Sequence, residues 1–305
     1  MSSNKERIFV VGATGSIGIG IIRGLIKKEI QTTAYVRNEQ KAKSLFEDEL
    51  KTGYLTLIVG TYETIDVFSE AIQKHTRLFL LVTAIDKPTL QSKIKGTFGK
   101  IAFEEGVRQI VNLSSLFVTE NGKKGIIAYA QMIAEEKLWT LAEENPEERS
   151  LVVLRPGTFM SNHLMGDVHH IKHSNKFVSC GSPSTPLVWI DTDDISDCAV
   201  VILTEPVEKH DRIVYEMGAE VLTNEERAAI FSKVLERPIV YEQQSLEDFF
   251  KIQSKFGLPH AFIYDRATYS MGGMRKTTTP QLAYVLGRPL GTLETWIKKN
   301  AQAFT

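Results

Sequence analysis

The chain has 305 residues, with 36 basic side chains against 37 acidic ones and a formal net charge of −1. Hydrophobic residues make up 43% and charged residues 24%, which excludes a disordered chain, and the balanced charge leaves no electrostatic footprint for nucleic acid or an anionic membrane. The longest apolar run, residues 78–84, falls far short of the ~20 residues a membrane helix needs.

The polar residues 1–7 lead straight into a strand over 8–11, a start that predicts no signal peptide. A glycine-rich turn follows at once, then a helix over 16–28 with Ile17, Ile21, Ile22, Leu25 and Ile26 on one stripe. A second strand spans 32–36, a helix 39–50 ends near Gly53, and a third strand spans 55–59. Ile65, Phe68 and Ile72 mark the next helix face. The run 78–83 lacks polar alternation, as expected of a parallel strand covered on both sides. Leu90, Ile94, Phe98 and Ile101 line a helix that stops at Gly106. A strand over 110–113, a helix over 127–142 and a strand over 151–154 complete the alternation.

Six strands separated by helices predict an α/β fold with a doubly wound parallel sheet. Right-handed crossovers give the order 3-2-1-4-5-6, with a ligand crevice beside the first and fourth strands. Beyond Leu154 the rhythm changes: residues 155–186 read as loops and short helices. A helix over 193–203 turns Ile195, Ala199 and Ile202 inward, and a returning strand spans 213–217. Thr223 and Glu226 form a capping box that opens a helix to about Glu236. Helices over 245–256 and 292–303 follow, with Phe249, Phe250 and Phe256 expected in the core. The division is therefore a Rossmann domain over 1–155, completed by segments within 187–218, and a smaller, mostly helical lobe over 156–305 that is expected to close over the crevice. The two cysteines, Cys180 and Cys198, cannot build a disulfide framework and suit a reducing compartment, consistent with a cytoplasmic protein.

The segment Val11-Gly12-Ala13-Thr14-Gly15-Ser16-Ile17-Gly18 carries the chemistry of the first half. Gly12 permits the sharp turn, Gly15 lets backbone approach a diphosphate, and Gly18 lets helix and strand pack closely. The helix start adds free amides and the positive end of its dipole. At the end of the second strand stands Arg37, where an NAD site would place a carboxylate for the ribose 2′-hydroxyl. A guanidinium there matches a 2′-phosphate and points to NADPH.

Other clusters carry less. His163, His169, His170 and His173 crowd residues 163–173, and His169 and His173 have the spacing of a metal pair on one helix face. With Asp167 as the sole acidic residue among them, solvated or substrate-facing imidazoles are the better reading, and no metal is expected. His163 is the candidate for substrate contact or proton donation. Ser114 and Ser115 lack the glycine spacing of a nucleophile elbow, so a hydroxyl that orients a phosphate or carbonyl fits better. Met271-Gly272-Gly273-Met274 reads as a loop or a flexible edge of the crevice.

The chain resembles the NmrA-like branch of the short-chain dehydrogenase/reductase superfamily. The resemblance rests on Gly12-Ala13-Thr14-Gly15-Ser16-Ile17-Gly18, Val36-Arg37-Asn38, Val111-Asn112-Leu113-Ser114-Ser115, the run from Leu154-Arg155-Pro156 to Asn162, Trp189-Ile190-Asp191-Thr192-Asp193-Asp194-Ile195 and Leu286-Gly287-Arg288-Pro289. It implies NADP(H) binding, with Thr14, Gly15, Ser16 and Ile17 cradling the diphosphate and Arg37 holding the 2′-phosphate. Thr83 would lie by the nicotinamide ribose, and Phe159 and Asn162 would line the mouth for cofactor and substrate. Ser115 and Tyr129 have the separation of the family's serine and tyrosine, but the lysine expected four residues after the tyrosine is Ile133. An apolar side chain there cannot stabilise a tyrosinate, so Tyr129 would donate a hydrogen bond as a neutral phenol rather than act as a base. Gly60-Thr61 stands where many relatives carry an acidic residue near the adenine.

Two functions follow from the resemblance. The preferred one is an NADPH-dependent reductase of a small quinone, carbonyl or related electrophile, with Tyr129, Ser115 and His163 as catalytic candidates. The alternative is a catalytically silent NADP(H) sensor acting through a protein partner. The sequence leaves the oligomeric state open.

Overall fold

The computed structural model describes residues 6–84, 87–121, 125–273 and 277–305. Twelve strands occur among them: β1 (Arg7–Val11), β2 (Gln31–Val36), β3 (Leu55–Val59), β4 (Arg77–Leu80), β5 (Gln109–Leu113), β6 (Ser150–Pro156), β7 (Thr158–Phe159), β8 (Lys176–Ser179), β9 (Leu187–Ile190), β10 (Val214–Met217), β11 (Glu220–Leu222) and β12 (Val240–Gln243). Seven of these form one sheet in the order β10-β6-β5-β4-β1-β2-β3. The first six carry the expected 3-2-1-4-5-6 order, and β10, the returning strand, is added at the β6 edge.

β1 pairs in parallel with β2 on one side and β4 on the other, so the strand order reverses at β1. That reversal opens a crevice at the carboxyl ends of these strands, where doubly wound sheets place their ligands. The chain divides into two compact units. The first comprises Met1–Ser115, Ala130–Arg155 and Ile195–Tyr215, and the second comprises Leu116–Tyr129, Pro156–Asp194 and Glu216–Thr305.

In the first unit β5 is buried throughout, because helices cover both faces of a parallel sheet. Phe68 and Phe98 stack 3.9 Å apart, and Phe9 meets Phe68 edge-on at 5.5 Å. Helix Ser16–Lys27 buries the predicted stripe Ile17, Ile21, Ile22, Leu25 and Ile26. The helix expected over 39–50 is two helices, Glu39–Leu45 and Glu47–Lys51, because Phe46 leaves helical geometry to bury its ring fully. The fourth strand ends at Leu80, and residues 81–84 are irregular. Helix Pro88–Glu104 is rotated from the expected face: Leu90 is exposed, whereas Gln91 and Lys95 turn inward beside Ile94 and Phe98.

The second unit holds a core of Phe177, Trp189, Phe231, Trp296 and Phe304. Its helices include Asn224–Leu235, opened by the predicted Thr223–Glu226 capping box, and Leu293–Asn300. It also contains two small sheets, β11-β9-β7 and β12-β8, where a mostly helical lobe was expected. Their strands have two to four residues, too few for a period to show. Phe249 is buried as expected, but Phe256 is 75% exposed at the end of helix Leu246–Lys255. Met271 and Gly272 end helix His260–Gly272 rather than form a loop, and Met274 lies outside the described residues. Both cysteines are buried thiols. Among the described residues no helix is long and apolar enough to cross a membrane.

Candidate functional site

The glycine loop joins β1 to helix Ser16–Lys27. Gly12 sits at φ +86°, in the left-handed region, and a Cβ there would meet Leu81 Cβ at 2.9 Å. Its carbonyl accepts from the Gly15 amide at 3.2 Å, which closes the turn. A Cβ on Gly18 would come within 2.2 Å of the same carbonyl, so only glycine lets the helix start this close to the strand. Gly15 precedes the helix in extended conformation, and no side chain caps it. The first-turn amides are thus presented outward, the arrangement that binds phosphate elsewhere. Thr14 is half-buried and Ser16 exposed, whereas the Ile17 side chain is in the core, so Ile17 has only backbone to offer a ligand.

A cavity of about 220 Å³ opens over this loop, walled by residues 11–15, 35–37 and 60–62 together with Lys41, Leu81 and Thr83. Arg37 extends from the end of β2 into its lining. Lys41 joins it as a second cation that the sequence reading passed over. Asn38 accepts from the Lys41 amide at 2.9 Å and so caps helix Glu39–Leu45, placing Lys41 in its first turn. The signal was available: a basic residue four positions after Arg37, behind an asparagine cap. At the β3 end the Tyr35 hydroxyl donates to the Thr61 carbonyl at 2.9 Å. A Cβ on Gly60 would lie 2.1 Å from that hydroxyl, so the glycine at the position of the relatives' acidic residue is required by the Tyr35 ring. The Thr83 amide donates to the Tyr62 hydroxyl at 3.4 Å, bringing both into the same wall.

At the end of β5, Ser115 is half-buried. Its neighbour Ser114 is buried and donates its hydroxyl to Glu135, which also takes two bonds from the Arg155 guanidinium. Ser114 is therefore part of an internal brace and does not face a phosphate or carbonyl. Beside it Lys95 is fully buried, with Nζ donating to the Leu113 carbonyl at 2.7 Å and to Gln131 Oε1 at 2.9 Å. Burial pushes the Lys95 amine down to about 7, opposed by the Glu135 charge.

In the second unit Tyr129 is 39% exposed on the opening turn of helix Ile126–Glu143. Phe159 is half-buried on β7, and Asn162 is exposed at the start of helix Asn162–Gly166. His163 requires a correction. Its imidazole is 0% exposed, stacked on Trp189 at 4.8 Å and edge-on to Phe231 at 5.0 Å, with Nδ1 bonded to Asp167 Oδ2 at 2.6 Å. A ring packed into an aromatic core cannot meet a substrate. The rings of His169 and His173 lie 4.8 Å apart, but among the described residues no group of three potential ligands surrounds a metal position.

Comparison with known proteins agrees with this architecture. The sequence model of the NmrA-like family matches residues 4–272. An NAD(P)H azoreductase of Xenophilus azovorans is 25% identical over 97% of this chain and 99% of its own length. The NADPH-dependent quinone oxidoreductase QOR2 of Escherichia coli, solved with NADPH, superposes with a TM-score of 0.80 at 22% identity, covering 96% of this chain and 99% of that one. NmrA, a negative transcriptional regulator solved with NADP, gives a TM-score of 0.75 at 14% identity, covering 97% and 95%. The two structural likenesses are likenesses of fold, whereas the family match runs from before β1 into helix His260–Gly272. On that match the chain belongs to the NmrA-like family.

Proposed function

We propose that the protein is an NADPH-dependent reductase of a small electrophile such as a quinone, carbonyl or azo compound. The observation that carries this reading is the uncapped helix start at Gly15 opening into a cavity that also holds Arg37 and Lys41. Outward amides and a helix dipole suit a diphosphate, and two cations in one cavity wall suit the added charge of a 2′-phosphate. The space above Gly15, where a Cβ would meet only the Gly12 carbonyl at 3.6 Å, fits close approach by a phosphate. The NAD(P)H azoreductase, alike along its whole length, supports reduction as the reaction type.

In this reading Thr14, Gly15 and Ser16, with the Ile17 and Gly18 backbone, hold the diphosphate, and Thr83 lies toward the nicotinamide ribose. When bound, the cofactor supplies the hydride. Ser115 and the exposed Tyr129 phenol are the proposed hydrogen-bond donors to an acceptor oxygen. Phe159 and Asn162 are taken as contacts to cofactor or acceptor. A quinone suits such a site, because its reduction asks little proton abstraction of the protein and Ile133 removes the usual lysine. That absence is also the one feature that favours a silent NADP(H) sensor.

Steady-state NADPH oxidation against quinones, azo compounds and carbonyls tests the proposal, after binding of NADPH is measured by fluorescence. Acceptor-dependent turnover is expected, and Tyr129→Phe should lower kcat about 10- to 100-fold while NADPH affinity stays unchanged. Tight binding with no turnover for any acceptor would give the protein to the sensor reading.

A further inference from the structure

We propose that Asp265, on helix His260–Gly272, is a positioning residue for the Tyr129 hydroxyl: its buried carboxylate fixes the opening turn of the helix that presents Tyr129. The inference rests on the reductase reading, in which that hydroxyl meets the acceptor.

Among the described residues, helix Ile126–Glu143 has no local side chain holding its first turn. Gly125 has no side chain to cap it, and no acidic residue lies in the first turn. The cap comes instead from a residue far along the chain. Asp265 Oδ2 accepts from the Ile127 amide at 2.9 Å. The approach depends on Gly125, because a Cβ there would lie 2.2 Å from Asp265 Oδ1 and 2.5 Å from the Tyr269 hydroxyl. Tyr269, one turn after Asp265, is buried and stacks on Phe117 with ring centroids 3.7 Å apart and planes 9° from parallel. The same turn carries Tyr129, whose amide donates to the Gly125 carbonyl at 2.8 Å.

A buried carboxylate without a cation is costly, and among the described residues none pairs with Asp265. Burial pushes its carboxyl above the ordinary range, and the Ile127 amide pulls the other way. The positive end of the helix dipole is the compensation available at this place. The clamp is buried while Tyr129 is exposed, so the phenol is aimed by groups that a substrate does not touch. Misplacing a reacting group by about 1 Å can cost about 10²-fold in rate, which sets the scale of what such a clamp protects.

The test compares wild type, Asp265→Ala, Asp265→Asn, Tyr129→Phe and the double variant Asp265→Ala/Tyr129→Phe in quinone reduction, with NADPH affinity and amide hydrogen exchange at Ile127 measured alongside. Asp265→Ala should lower kcat about 10-fold, leave NADPH affinity within about twofold and speed exchange at Ile127. Asparagine keeps an acceptor, so Asp265→Asn should recover most of the rate. In the Tyr129→Phe background the alanine change should cost nothing further, which a merely structural role would not produce. Full kcat in folded Asp265→Ala, or an undiminished loss in the double variant, would overturn the proposal. Should the alanine variant not fold, Asp265→Asn should retain a loss of about twofold that vanishes beside Tyr129→Phe, and an equal loss in both backgrounds would overturn it. A wild-type protein that turns over no acceptor fails at the control, which marks the failure of the reductase reading itself.

Discussion

Arg37 and Lys41 decide between the two nicotinamide dinucleotides in the proposed function, because NADPH differs from NADH by one phosphate and these are the cations in the lining around β2. A hydrogen bond to a charged group contributes about 1.5–3 kcal/mol, a factor of about 10 to 100 in affinity. Arg37→Glu replaces that attraction with repulsion, so it should weaken NADPH binding by at least that factor and leave NADH binding nearly unchanged. Lys41→Ala should act in the same sense by a smaller amount, since an ammonium is a point charge without the bidentate fork. Fluorescence titration of both nucleotides checks this, and equal losses for the two would remove the 2′-phosphate from this corner of the cavity. Single residues also show where sequence reasoning reached its limit. The place of Arg37 in the cavity wall was legible, because a residue at the end of the second strand of a doubly wound sheet lies beside the crevice. The burial of His163 and Lys95 was not, because a titratable side chain is turned inward by partners remote in sequence: Trp189 and Phe231 for the first, Gln131 and the Leu113 carbonyl for the second.

Among the elements, the parallel strands were readable because burial on both faces leaves continuous apolar runs, and helix Ser16–Lys27 because its stripe repeats over three turns. The small sheets were not, since β7 and β12 owe their existence to pairing with β9 and β8 rather than to their own composition. Two sequence motifs acquire a physical meaning once the elements are placed. Asp194, in the first turn of helix Thr192–Thr204, accepts from Arg288 Nη1 at 2.7 Å and from the Gly291 amide at 2.8 Å. The Trp189–Asp194 motif thereby ties down residues 287–292 within the second unit, just ahead of the capping box that starts helix Leu293–Asn300. Asp194 is buried, so its removal takes the acceptor from the Gly291 amide and one of its partners from the part-exposed Arg288 guanidinium. Asp194→Ala should cost about 2–3 kcal/mol and lower Tm by roughly 3–5 °C. Limited proteolysis should then cut first within 287–292. A variant as stable and as resistant as wild type would reduce the clasp to a surface contact.

Across the whole molecule, each unit buries a base that folding makes harder to protonate, and the two act on stability in the same direction. In the first unit burial holds Lys95 at about 7 against an ordinary 10.5, with Glu135 resisting. Between those values the unfolded chain carries the proton and the folded one does not, so stability rises with pH above 7. In the second unit burial lowers the His163 value below 6.5; Asp167 opposes the shift and the Arg227 guanidinium adds to it. Below pH 6.5 the unfolded chain takes up that proton first, so stability falls as the solution is acidified. His75, buried in the first unit against Thr33, shifts the same way. Each such group contributes up to about 1.4 kcal/mol per pH unit inside its window. The protein should therefore melt at a higher temperature at pH 9 than at pH 7, and at a lower one at pH 5.5. Lys95→Met should flatten the alkaline limb alone, because it removes the proton that distinguishes the two states. His163→Leu should make the acid limb shallower, leaving the share of His75, and should not change the alkaline one. Thermal unfolding of the three proteins at pH 5.5, 7 and 9 separates these effects. A wild-type Tm that does not change from pH 7 to pH 9 would mean that Lys95 keeps its charge in the folded state, held by Glu135 more strongly than burial opposes it.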